Sequence, residues 1–385
     1  MKIGILTQPL YCNYGGIVQC YALQTTLKRM GHEPVVLQRE FNRRYTFLGA
    51  LQYYLKLIVK KLIGRNGSWH YYVSQKKRDY IARNTHNFID KFIVPRSEHC
   101  YTTEELKQEV ERLHLDAIVV GSDQVWRPDY SPCQTNYFLD FLEDANNVKR
   151  LSYAASFGND RWNWSQELTG RCATLLRKFD GVSVREKSGI CLCKKYFGVD
   201  AVQVLDPTML LEAEDYIEVV KQYVLNGRQL TNHRGMLFCY VLDRSSEKRN
   251  VIKSIAERTS KTTFEVMPEL DDSVYNLYGD IDKSVYPPVE EWLLAFIEAE
   301  MVITDSFHGT VFSIINNRPF WVLANEGRGM ARFESLLSMF GLENRMLSTS
   351  LLVLKDLNQP IDWDCVNTRR KELQNSSIDY LRHVI

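Results

Sequence analysis

Short apolar runs ending in polar, glycine-containing loops recur along this chain, and stretches of helical spacing follow them. The first is Lys2–Thr7 (KIGILT), too short and too quickly polar for a secretory signal and suited to a buried strand. Ile17–Gly31 then carries apolar residues at helical spacing and a terminal glycine stop, and PVVLQ follows as a second strand. This β-loop-α-β unit opens a doubly wound parallel sheet. Leu115–Asp123 (LDAIVVGSD), Arg150–Gly158 (RLSYAASFG), GVSVRE and AVQVLDPT repeat the strand-then-loop pattern, with a helix near Gln166–Phe179. Residues 43–95 read as a helical insertion. The polar stretch Val224–Arg234 carries an Asn-Gly turn signal and marks a domain boundary. Beyond it the alternation restarts with MLFCYVL, a helix over Ser246–Arg258, TTFEVM, the helix after PPVEEW, EMVITDSFHG and RPFWVLA; Asn367–His383 forms a last amphipathic helix. The pattern predicts an α/β fold of two Rossmann-like domains with a central cleft, residues 1–225 and 235–350. A tail, 351–385, packs back on the first.

Length agrees with two domains, since 385 residues exceed the usual size of one. Lys and Arg number 48 against 47 Asp and Glu, so no global charge points to nucleic acid and any anion site must be local. The nine cysteines include no CxxC pair, which predicts reduced, mostly packed thiols in a reducing, cytoplasmic compartment. No apolar run reaches the roughly 18 residues of a membrane span. Arg43–Arg65 is apolar, aromatic and basic. Such a helix either packs on its own domain or lies on an anionic membrane surface; its basic residues form no single clean face, which favours packing.

Parallel sheets place ligand-binding loops at the carboxyl ends of their strands. Here those ends collect polar and glycine residues. Asn13, Gly15 and Gly16 precede the first helix, where bare backbone amides approach an anion or make a tight turn. Ser122, Asp123, Gln124 and Trp126 offer hydroxyl, carboxylate, amide and indole together, a set suited to a hydroxyl-rich ligand; as a structural set they would be a cap and a core tryptophan. Arg185 ends a buried strand with a fork matched to carboxylate or phosphate, or pairs with Glu186. In TDSFHGTVFSII, Asp305, Ser306, His308 and Gly309 stand where a strand turns into a helix. Free amides there would hold phosphate, and the imidazole would donate a proton or pair with the substrate's charge. Arg328 and Arg332 follow as candidate anion clamps. No metal-ligand spacing is visible, so no metal and no cofactor are expected.

Taken in order, NYGGIVQCYALQ, GSDQVWRP, SYAASFG, SVREKSG, VLDPT and TDSFHGTVFSII resemble the polysaccharide pyruvyl transferase family, from Met1 to about Leu347. The resemblance implies a fold similar to two-domain GT-B glycosyltransferases. It also implies transfer of the pyruvyl unit of phosphoenolpyruvate to hydroxyls of a sugar or lipid-linked oligosaccharide, giving a cyclic ketal and phosphate. By the same resemblance the SVRE arginine carries onto Arg185 and the histidine at the helix start onto His308. Some members have Ser-x-Arg-x-His before that helix, and this chain lacks that arginine. Some carry a downstream lysine, for which Arg328 and Arg332 are the candidates here. The chemistry assigns His308 as general acid toward the methylene carbon, or as a phosphate ligand, and Asp123 as the group that orients or deprotonates the acceptor hydroxyl. A lipid-linked acceptor would bring Arg43–Arg65 to the inner leaflet. A nucleotide-sugar glycosyltransferase and a non-catalytic glycan-binding protein are the competing readings.

Overall fold

A computed structural model describes residues 1–41, 55, 74–128, 130–142, 147–271, 276–277, 279–323, 330–347 and 356–385. Two parallel five-stranded sheets organise them. The first has the order β3-β2-β1-β4-β5, with β1 Lys2–Leu6, β2 Glu33–Arg39, β3 Arg96–Cys100, β4 Ala117–Val120 and β5 Lys149–Ser152. Ile3 sits opposite Ala117 and Leu6 opposite Val120 at its centre. Two short strands, β6 (Ser183–Val184) and β7 (Val202–Gln203), extend it through bridges from Leu151 to Gly181 and from Ala155 to Val184. The second sheet has the order β12-β11-β10-β8-β9, with β8 Leu237–Tyr240, β9 Thr263–Phe264, β10 Met301–Thr304, β11 Phe320–Leu323 and β12 Met346–Leu347.

The strands that the apolar runs predict are the inner ones. Every residue of β4, β8, β10 and β11 is buried, because helices cover both faces of a parallel sheet and leave no polar side to alternate with. β3 was not expected. Its sequence, RSEHC, is polar and lies at the sheet edge, where one face meets water and no apolar run is needed.

The helices are α1 (Tyr14–Arg29), α2 (Gln75–Phe92), α3 (Thr103–Leu113), α4 (Gln166–Leu176), α5 (Lys187–Leu192), α6 (Ala213–Leu225), α7 (Ser246–Thr259), α8 (Val289–Glu298), α9 (Phe307–Ile315), α10 (Met330–Phe340) and α11 (Trp363–Val384). α2 is the described helix of the expected insertion; apart from Leu55, residues 42–73, and with them the basic segment Arg43–Arg65, lie outside the described residues. No helix among the described residues is long and apolar enough to cross a membrane.

Three elements tie the halves together. α6, which the sequence reading placed with the first domain, sets Tyr216 against Phe312 of α9 with ring centroids 4.9 Å apart, so it shares a core with the second sheet. α11 returns to the first domain: Ser377 Oγ accepts from the Leu205 amide at 3.0 Å, and Tyr380 donates to the Ser152 carbonyl at 3.2 Å. At the start of α1, Tyr14 stacks on Trp292 of α8, 5.5 Å between centroids, and donates to the Pro287 carbonyl at 2.8 Å.

Asp305 closes the carboxyl edge of the second sheet. Its carboxylate accepts from the Leu242 and Asp243 amides at 2.7 and 3.1 Å and pairs with Lys248 of α7 at 2.6 Å, almost fully buried. Removing one member of a buried ion pair leaves the other desolvated and unpaired. Lys248→Met is therefore expected to cost roughly 3–5 kcal/mol, read as a lower urea midpoint, and adding Asp305→Asn to that variant should restore part of it.

Candidate active site

Loops from both sheets meet at their carboxyl edges. The first sheet supplies Asn13 after β1, Ser122 and Asp123 after β4, Arg185 and Glu186 after β6, and Asp206 after β7. The second supplies Ser306, Phe307 and His308 after β10.

On the second-domain side, Ser306 is the N-cap of α9, its Oγ accepting from the Gly309 amide at 3.4 Å. Every residue from Phe307 to Ile315 is buried, which requires a helix apolar all round and explains FHGTVFSII. Gly309 is needed because a Cβ there would fall 2.2 Å from Thr304 Oγ1. His308 is 6 % exposed and faces the first domain on two sides. Its Nε2 lies 3.5 Å from Asp206 Oδ2, and a Cβ on Gly15 would fall 2.1 Å from its Nδ1.

Arg185 is more enclosed, with 1 % of its side chain exposed. Nη1 donates to Asp206 Oδ2 at 3.1 Å and contacts Ser122 Oγ at 3.5 Å. The guanidinium lies 4.1 Å from the Phe307 ring centroid, a desolvated cation–π contact across the domain interface worth about 2 kcal/mol. Nε and Nη2, the edge that grips a carboxylate or phosphate side-on, are buried and make no hydrogen bond. Glu186 Oε2 and Asp123 Oδ1 face that edge at 3.9 and 3.8 Å, close enough to balance the charge and too far to occupy the donors. These two donors have the geometry of the guanidinium edge that pairs side-on with a carboxylate or phosphate.

Asp123 occupies left-handed backbone, φ 75°, which aspartate tolerates better than most residues. Its Oδ2 accepts from Asn13 Nδ2 at 3.2 Å, and Asn13 Oδ1 in turn caps the Gly16 amide at 3.2 Å. Asp123 thus faces Arg185 and the start of α1.

Asp206 was not singled out from the sequence, although it stands in VLDPT at a strand's carboxyl end like the others. It is the shared acceptor of the site. Oδ2 takes Ser122 Oγ at 2.9 Å as well as Arg185, while Oδ1 takes the Thr208 amide and hydroxyl at 3.1 and 2.7 Å. Burial alone would raise its pKa; the nearby His308 imidazole, Arg185 and Thr208 outweigh burial and hold the carboxyl well below the usual carboxylate range.

Several expectations change. Trp126 is fully buried, stacked on Phe138 at 5.2 Å, and its Nε1 donates to the Tyr137 carbonyl at 2.9 Å; it is core and presents no face to a ligand. Gln124 holds its own loop, accepting from Arg127 at 2.8 Å through its side chain. Gly15 clears the imidazole of His308 across the domain contact, while Gly16 clears the side chain of Asn13 in its own loop. Arg332 of α10 is 7 % exposed; burial and then repulsion from Arg185 pull its pKa down to about 10, with Glu186 and Asp123 acting the other way. It is therefore part of the same charged cluster. Arg328 lies outside the described residues. Among the described residues, no group of three or more His, Cys, Asp or Glu is arranged to hold a metal ion. A groove of about 580 Å³ between the end of α1 and α11 lies apart from this cluster and shares no residue with it.

The sequence pattern of the polysaccharide pyruvyl transferase family matches residues 13–327. No curated protein gives a significant match. Among solved structures, UDP-GlcNAc 2-epimerase from Neisseria meningitidis bound to UDP-GlcNAc superposes with a TM-score of 0.51 at 10% identity, covering 98% of this chain and 94% of that one. UGT89C1 from Arabidopsis thaliana complexed with UDP-L-rhamnose gives 0.50 at 10% identity, covering 98% of each. At such identities the likeness shows the fold alone, the GT-B arrangement of two facing α/β domains.

The Gly15 contact is directly testable. In Gly15→Ala the added methyl overlaps the buried imidazole ring of His308, so the domains are expected to be held apart, with a larger radius of gyration in small-angle scattering and a stability loss of roughly 1–3 kcal/mol. Wild-type compactness and stability in this variant would contradict the packing.

Proposed function

Because the chain belongs to the polysaccharide pyruvyl transferase family, we propose that its interdomain cluster transfers the pyruvyl group of phosphoenolpyruvate to hydroxyls of a sugar in a cell-surface polysaccharide precursor, as a cytoplasmic enzyme. The observation that carries this reading is the open Nε/Nη2 edge of Arg185, buried beside His308 at the domain interface. Phosphoenolpyruvate is small and carries both a carboxylate and a phosphate. One side-on guanidinium edge grips either group, and Arg332 adds a second buried cation.

In the reaction so read, His308 donates a proton to the methylene carbon, and the adjacent carbon becomes an oxocarbenium-like electrophile. An acceptor hydroxyl adds there and gives up its proton, with Asp123 placed to orient it. The carbon–oxygen bond to phosphate then breaks, and phosphate leaves with the bonding pair. A second sugar hydroxyl adds to the resulting oxocarbenium and loses its proton, closing the ketal. One proton enters at carbon and two leave from hydroxyls, one of which neutralises the departing phosphate, so no oxidant or reductant enters. Asp123 is buried in the closed arrangement, so acceptor entry requires the domains to part at this edge.

A lipid-linked acceptor would add a peripheral contact with the inner leaflet. The nucleotide-sugar alternative rests on fold likeness alone.

The test is phosphate release from phosphoenolpyruvate across a set of glycan acceptors, with product read as a pyruvyl mass addition. His308→Ala is expected to lose about 10²–10⁴-fold in turnover. Arg185→Ala should weaken donor binding in calorimetry, while a panel of UDP- and GDP-sugars gives no heat. Full activity in both variants, or tight binding of a nucleotide sugar with no response to phosphoenolpyruvate, would overturn the assignment.

A further inference from the structure

We propose that Glu186 makes the anion seat beside Arg185 selective for an oxyanion that still carries a proton, a hydrogen phosphate or a singly ionised phosphate monoester, over one that is fully ionised. The inference rests on the reading of the Arg185 edge as the seat of the donor's phosphate, and it adds which ionic form that seat takes.

Glu186 is fixed by one oxygen and open at the other. Oε1 accepts from the Ser156 hydroxyl at 2.8 Å and the Phe157 amide at 2.9 Å, which anchors the carboxylate to the loop after β5. Oε2 is buried, makes no hydrogen bond and lies 3.9 Å from Arg185 Nε. Arg185 is held in the same manner: Nη1 donates to Asp206, while Nε and Nη2 are buried and make no hydrogen bond. The two side chains are 1 % and 2 % exposed. Two donors and one acceptor thus stand side by side in the interior.

An unmet donor calls for an oxygen lone pair, and an unmet carboxylate oxygen calls for a hydrogen. One oxygen that accepts from Nε at about 2.8 Å and donates to Oε2 at about 2.6 Å spans a gap of this size. A hydroxyl of any kind can do that much. The Nη2 donor in the same fork asks for a second oxygen on the same ligand, and a guanidinium matches two oxygens of a phosphate. Arg332, buried and near enough to act on Arg185, Glu186 and Asp123, adds charge suited to an anion. Against these two guanidinium groups stand three carboxylates, Asp123, Glu186 and Asp206. That surplus opposes an anion with no proton, and an anion that brings its own relieves it at Oε2. Sulfate has the shape of phosphate and no hydrogen at neutral pH. Its oxygen would face Oε2 lone pair to lone pair, a buried contact between like charges.

The experiment is calorimetry of the full chain with inorganic phosphate, arsenate and sulfate at neutral pH and equal ionic strength. Loss of phosphate binding in Arg185→Ala identifies the seat. Phosphate and arsenate both keep a proton at that pH and are expected to bind within a few-fold of each other, with sulfate at least about 10²-fold weaker. Glu186→Gln keeps an oxygen for Ser156 and Phe157 and puts an amide NH₂ where Oε2 accepts. It should bring sulfate to within about 10-fold of phosphate. If the Gln variant does not fold, the three-anion series in the wild type decides by itself. Sulfate binding as tightly as phosphate overturns the proposal. So does a preference unchanged in folded Glu186→Gln, and so does an absence of phosphate binding in an enzyme that transfers pyruvyl groups. Selective phosphate binding in a protein that releases no phosphate from phosphoenolpyruvate with any acceptor supports the role of Glu186 and overturns the donor reading instead.

Discussion

One buried carboxylate oxygen, Oδ2 of Asp206, is the point on which this molecule's two halves agree. It receives a hydroxyl and a guanidinium from the first domain and faces an imidazole from the second. Charges removed from water are costly unless each finds a partner, and here the partners come from separate folding units. The domains are thus held together partly by electrostatic need. The Tyr14–Trp292 stack and the cation–π contact of Arg185 with Phe307 also join the two halves. Around Arg185 the buried cations Arg185 and Arg332 are set against the carboxylates of Asp123, Glu186 and Asp206.

Local backbone choices serve that meeting point. Gly309 lets α9 begin hard against Thr304, which places His308 on the helix's first turn. Gly15 lets the first turn of α1 reach the other side of the ring. Asp123 adopts left-handed backbone directly after β4 and so turns its carboxylate toward both Asn13 and Arg185. Each of these residues would look replaceable in isolation; each is fixed by a neighbour that comes from a distant part of the sequence.

The loops that carry the site were legible because parallel sheets expose ligand-binding groups at their carboxyl ends, and Asn13, Asp123, Arg185 and His308 all stand there. Trp126 was misread for a physical reason: an indole beside polar residues serves equally to cover a sugar or to fill a core. Only the positions of Phe138 and Phe157 decide between these roles. Asp206 was passed over because an Asp-Pro pair after a strand is also an ordinary way to begin a turn, and it does cap Thr208. Its second oxygen, aimed at residues far away in sequence, leaves no local trace. β3 escaped for the opposite reason, being a polar edge strand with little to bury.

By itself, then, the sequence determined the alternation of buried strands and covering helices, the presence of two α/β halves and the set of loops in which chemistry could reside. Those properties follow from periodicity and burial, which are local. The tertiary structure decided which polar residues face one another, that Gly15 and Asp206 from one domain enclose His308 from the other, and which edge of Arg185 stays open. Pairing of buried charges depends on distances between segments far apart in the chain, and no local pattern encodes a distance.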